Sequence, residues 1–197
     1  SRTQPDKPLI GYEVLFKATA QPDEKPTPIG LTNRDGKLAI SPGKSRVRTL
    51  YIKHGAQMLA RLPIIPGAQR QVDVPLPDDD PRLAAEATLA ALREDLIDVV
   101  ARRNILMARA RQKIEDGKFD DAQKIVTLID ALPGRSQFNL AVTTAARRHR
   151  SEDPMIQRRI DRLFEGTQTV LSQYLDVGPI NDLHDELREA RRKLGKL

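Results

Sequence analysis

The sequence has no cysteine among its 197 residues. Disulfides, thiol nucleophiles, iron–sulfur clusters and Cys-ligated zinc are excluded together. Tryptophan is also missing and aromatics are 4% of the chain, so any core must be built from Leu, Ile, Val and Ala. No apolar run approaches the roughly 18 residues needed to cross a bilayer. The chain starts Ser1-Arg2-Thr3-Gln4-Pro5, with neither Met nor a signal-like apolar stretch, the look of a mature or excised segment, which leaves open whether sequence lies upstream.

What remains is 39% hydrophobic and 30% charged, polar for a globular protein but too apolar for a disordered one. The length suits one large domain or two small ones. Net charge is +6, which invites a nucleic-acid reading. Its distribution argues against one. Residues 1–77 carry 12 Lys/Arg and 6 Asp/Glu, whereas residues 78–197 carry 21 of each. The Arg-rich half is therefore neutral, and a phosphate-tracking helix needs an unbalanced basic face.

Burial rhythm divides the chain in the same place. Ile10, Tyr12, Val14 and Phe16 alternate with polar or small neighbours, the period of a half-buried strand. Ile29–Thr32 and Lys37–Ser41 flank Asn33-Arg34-Asp35-Gly36, a hairpin signal because Gly and Asn accept turn geometry. Val47–Lys53, Met58–Ile65 and Gln69–Val74 complete about six strand candidates, punctuated by Gly55 and Pro66-Gly67. The expectation for 1–77 is a small antiparallel β-sandwich.

From residue 78 to 197 the period becomes helical, and an α-helical bundle of about five helices is expected. Asp80-Pro81 reads as an N-cap followed by proline. A seam then runs Leu83, Leu89, Leu92, Leu96, Val99, Leu106, Ala110 and Ile114, widened by Ile97 and Val100, to a C-cap at Gly117. Such a helix spans about 36 residues and roughly 54 Å. Arg103 interrupts the seam, which predicts a kink or a paired arginine there. Further helices are expected over Asp120–Leu132, from Ser136, from Asp153-Pro154, and over Pro179–Leu194. The last carries Ile180, Leu183, Leu187, Ala190 and Leu194, a stripe that suits either the bundle or a partner. The fold class is thus α+β in two domains.

The opening Lys7-Pro8-Leu9-Ile10-Gly11-Tyr12-Glu13-Val14 and the turn Thr32-Asn33-Arg34-Asp35-Gly36-Lys37-Leu38-Ala39-Ile40 resemble prealbumin-like (transthyretin-fold) domains of the carboxypeptidase regulatory-like and CnaB-like kinds. Arg48–Gly55 resembles the strand those domains place before a Gly turn. The resemblance covers roughly residues 7–75 and implies a β-sandwich that serves as a spacer or binding module, most often in a bacterial cell-envelope or secreted setting. A first strand usual in the family is missing here, and no Lys, Asn and acidic set for an isopeptide bond can be placed. Gly117-Lys118-Phe119-Asp120-Asp121-Ala122 is similar to one tetratricopeptide turn, but no 34-residue period recurs.

Candidate sites are few. Gly43-Lys44-Ser45 resembles the end of a P-loop, but Leu38 stands where the motif needs glycine. Asp78-Asp79-Asp80 offers three carboxylates, yet adjacent residues rarely converge on one ion, and a capped linker is the better expectation. His54, His149 and His184 stand alone and are expected on the surface. No Gly-x-Ser-x-Gly elbow is present. No catalytic residue, cofactor or metal site is therefore assigned, and the chain reads as a non-enzyme. The candidate partner-binding residues are Arg147, Arg148, Arg150, Arg158, Arg159, Arg191 and Arg192. The expected role is a binding or scaffold protein with a protein partner or self-association, a nucleic-acid-associated protein being the first alternative and an enzyme with a dispersed site the second.

Overall fold

A computed structural model describes residues 1–17, 25–41, 48–65 and 71–194, with Arg48, Gln168 and Leu194 described by backbone alone. A four-stranded antiparallel sheet is followed by helices. The strands are β1 (Glu13–Lys17), β2 (Thr27–Leu31), β3 (Arg48–His54) and β4 (Gln57–Ile64), in spatial order β2-β1-β3-β4. The helices are α1 (Asp80–Glu115), α2 (Phe119–Asp130), α3 (Arg135–Arg148), α4 (Pro154–Tyr174) and α5 (Gly178–Leu194). The chain forms two compact units: residues 1–83 with 151–159, and residues 84–150 with 160–197.

In the sheet unit, alternation sets the buried face. Val14 lies opposite Ile52 and Phe16 opposite Leu50, while Ala60 and Leu62 continue the row on β4. Leu9, Tyr12 and Leu76 close that core, with Leu38 and Ile40 packed against it. On the other face Arg61 lies over the Tyr51 ring at 5.7 Å. Pro28 and Pro63 sit on the outer strands β2 and β4, where a missing N–H costs no ladder bond. The β3–β4 turn is Gly55-Ala56, with Gly55 at φ +56. A Cβ at Gly55 would also lie 2.9 Å from Leu83 Cδ2.

The expected Asn33–Gly36 turn forms: Asn33 Oδ1 accepts the N–H of Asp35 and Lys37, and Gly36 takes φ +70. Its return arm is not a strand. β2 pairs instead with β1, Glu13 opposite Leu31, and Leu38 folds over Gly30, its Cδ1 3.1 Å from where a Cβ would stand. Residues 71–74 likewise carry no strand. The remaining Gln69–Val74 positions, the Pro66-Gly67 turn and Gly43-Lys44-Ser45 lie outside the described residues.

Helix ends differ from expectation by one or two residues. Asp79, not Asp80, precedes α1: its carbonyl accepts the Arg82 and Leu83 N–H groups. α3 starts at Arg135, ahead of Ser136, because Gln137 Oε1 reaches back to the Gly134 N–H. α1 does end at Gly117, φ +71, with Lys118 N–H donating to Lys113 C=O as in a Schellman motif. In the helical unit α1, α2 and α5 share a core of Met107, Ala110, Ala122, Val126, Ile129, Leu183 and Leu187. Arg103 is paired: it donates to the Tyr174 and Asp176 carbonyls at 2.9 Å, closing the end of α4. Ile97 does not widen the seam; it is 61% exposed. Further along, Leu106, Ala110 and Ile114 keep the expected seam and Met107 joins them against the core.

Asp153 performs two tasks at the start of α4. Its Oδ1 accepts the Met155 and Ile156 N–H groups, and both oxygens accept Arg2 at 2.8 Å. Burial pushes this carboxyl up, but the Arg2 and backbone hydrogen bonds outweigh burial and hold it below the usual carboxylate range. A carboxyl lowered on folding stabilises above its unfolded value of about 3.9, and that stabilisation fades as pH falls through the folded value. Asp153→Asn keeps a capping oxygen but loses the charge pairing. At neutral pH it should cost about 1 kcal/mol, modest because Arg2 is half-exposed. In urea titrations the gap to the parent should close progressively below about pH 4. A gap that stays constant with pH would show the ion pair contributes nothing.

Candidate functional site

The seven arginines singled out above fall into different settings. Arg147 and Arg148 end α3 and Arg150 follows; all three are exposed, and none enters an ion pair among the described residues. Arg147 and Arg148 complement the carbonyl end of the helix dipole. Arg158 is exposed and donates to the Pro154 carbonyl, while Arg159 is half-buried. Arg191 is committed to the Phe119 carbonyl and to Asp120 at 3.0 Å; Arg192 is exposed. Arg147, Arg148 and Arg150 thus stay together in the helical unit, whereas Arg158 and Arg159 belong to the sheet unit.

The three aspartates at 78–80 are taken up by protein cations, with Lys7 also 3.9 Å from Asp80. Asp78 binds Lys7, Asp79 binds Arg82, and Asp80 stays exposed. Among the described residues no group of three His, Asp or Glu side chains is placed to hold a metal ion, and no helix is long and apolar enough to cross a membrane.

Around Asp79 the sheet unit buries a polar cluster that spacing does not reveal. Asp79 is fully buried and Arg82 is 1% exposed. Arg82 Nε donates to Asp79 Oδ1 at 2.8 Å, and its Nη2 reaches Asp79 Oδ2 and the His54 carbonyl. The Tyr12 hydroxyl accepts the Asp79 N–H at 2.8 Å and donates to the Pro77 carbonyl. Burial pushes that phenol well above its ordinary range, although the Asp79 N–H works against the rise. The His54 ring stacks on Tyr12, centroids 4.2 Å apart. It is therefore largely covered, correcting the expectation of a surface histidine: its side chain is 13% exposed, with Nδ1 3.8 Å from Asp79 Oδ2. The other two histidines make polar contacts, His149 with Thr88 and His184 with Asp130. The cluster pins the first turn of α1 to the β3 end of the sheet. The (i, i+3) spacing of Asp79 and Arg82 is legible in the sequence; their burial is not, because it comes from residues 12 and 54.

On the helical unit, α1 and α3 leave a shallow groove of about 360 Å³. Leu92, Val99, Phe138 and Ala141 line it, with Asp95, Asp98 and Arg102 along α1. Asp98 and Arg102 pair at 3.4 Å, each about 70% exposed, so the pair contributes little. The apolar lining with acidic side chains at hand suits a side chain or helix edge that brings apolar and cationic groups together. Leu92 and Val99 belong to the expected seam, but Phe138 and Ala141 reach them only through the α2–α3 turn at Pro133, which sequence spacing does not show. Comparison with protein-family models, with curated protein sequences and with solved structures finds no match to this chain.

Proposed function

We propose that the protein is a non-catalytic scaffold that holds a partner protein through its helical unit, with residues 7–75 forming a prealbumin-like sandwich module of the kind found in cell-envelope proteins. The observation carrying this reading is the α1–α3 groove, an apolar lining beside Asp95 and Asp98. The partner it fits is a helix with apolar residues flanked by Lys or Arg. The four-stranded antiparallel sheet and the Asn33–Gly36 turn support the module half of the reading.

A second reading has its own support. Arg147, Arg148 and Arg150 are exposed without ion pairs among the described residues, the condition for contacting a phosphate backbone. One anisotropy experiment separates the two. The probes are a labelled amphipathic Leu/Lys helix of about five turns and a labelled DNA duplex. The first reading expects peptide binding that tolerates salt and falls at least tenfold in Ala141→Arg. Peptide binding unchanged in that variant, or none, defeats it. Duplex binding that weakens steeply between roughly 50 and 200 mM salt would favour the second.

A further inference from the structure

α1 carries two large apolar side chains with no place in either core. Ile97 is 61% exposed and Ile105 53%. At about 100° per residue, Ile97, Ala101, Ile105 and Ala108 fall within about 80° of one another, and all four are exposed. They form one apolar stripe along the middle of the helix, on a different side from the α1–α3 groove residues Leu92, Asp95 and Val99.

The same helix is electrically lopsided. Residues 80–98 carry five acidic and two basic side chains; residues 99–115 carry five basic and one acidic. Side by side in parallel, two such helices would set acid on acid. Antiparallel, each half meets its opposite. We infer that a second copy of this chain docks on the α1 stripe, antiparallel, about a two-fold axis passing Ala101.

The register follows from the two-fold, which pairs residue i with residue 202 − i. Ile97 then meets Ile105 of the second copy, and Ala101 meets its own counterpart. Along one flank Asp98 lies beside Arg102 of the second copy and Glu94 beside Arg109 of the second copy, each pair made twice. Asp98 and Arg102 are now joined only by the weak exposed contact within one helix, so re-pairing across the axis costs little. On the other flank Arg93 approaches Arg111 of the second copy, whose charge is already shared with Glu186 at 3.1 Å. The small residues Ala101 and Ala108 let the backbones come close.

The absence of cysteine makes the test clean, because each introduced thiol is the only one in its chain. The variants Ile97→Cys, Ala101→Cys and Ile105→Cys change exposed positions and should leave the helical circular dichroism intact. Under mild oxidation an equimolar mixture of the first and third should give the mixed 97–105 disulfide at least tenfold over either homodisulfide. Ala101→Cys alone should cross-link to itself. Adding Glu94→Lys and Asp98→Lys to both partners should suppress the mixed product, and further adding Arg102→Glu and Arg109→Glu should restore it. Homodisulfides at 97 and 105 in excess of the mixed one would mean parallel helices and overturn the inference. So would random cross-linking, or none with chains that remain folded. The cysteine outcomes are independent of the groove; of the charge changes, Asp98 and Arg102 border it and Glu94 and Arg109 do not line it.

Discussion

Asp79→Ala should destabilise the sheet unit by about 3–5 kcal/mol. The substitution removes a buried carboxylate that accepts two hydrogen bonds from Arg82, a guanidinium 1% exposed to solvent. Water cannot replace the carboxylate without prising Tyr12 and His54 apart, since they stack at 4.2 Å beside it. The cost is therefore that of a buried charge losing a bidentate carboxylate rather than of one hydrogen bond. Adding Arg82→Met to Asp79→Ala should recover a large part of the loss, because the buried charge leaves with the arginine and a comparable stem fills its space. Hydrogen exchange at the β3 amides reports the sheet unit by itself. If Asp79→Ala shifts those rates by less than about 1 kcal/mol, or if the double substitution is as damaging as the single, the pair is not the clamp described.

In the helical unit the largest single loss should come from Leu183→Ala, about 3–5 kcal/mol. Leu183 on α5 is fully buried against α1 and α2. Its surroundings include Ala110 and Ala122, both at zero exposure. Alanines have no side-chain freedom with which to fill a void, so the cavity stays open and the cost falls in the upper part of the range. Leu128→Ala and Leu140→Ala remove the same atoms from positions 57% and 68% exposed, and each should cost under about 0.5 kcal/mol. Urea unfolding of the three variants checks the contrast; equal losses would mean α5 is not seated as described.

The change of burial period near residue 78 was legible because each element presents one repeating face to its core. The 36-residue α1 was legible for the same reason, and because Gly117 stops it. The return arm at Lys37–Ser41 misled because its alternation is real but serves packing: Leu38 and Ile40 cover the core without pairing. Ile97 misled because a stripe read at fixed spacing cannot say how wide the seam is. The polar clamp was invisible for a different reason. Tyr12, His54, Asp79 and Arg82 come from three separate stretches, and only β1–β3 pairing brings Tyr12 and His54 side by side. The groove was hidden too: Asp95 and Asp98 border an apolar surface only because Phe138 and Ala141 of α3 pack beside Leu92 and Val99.

The bond between Arg2 and Asp153 joins residues 151 positions apart, both within the unit that holds the sheet. During synthesis the strands leave the ribosome long before Asp153 exists. The sheet unit thus cannot close on its early segment alone, and it waits unclosed while residues 84–150 of the helical unit are produced. A chain with that order of assembly meets its chaperones with β1 to β4 already made and the start of α4 still to come.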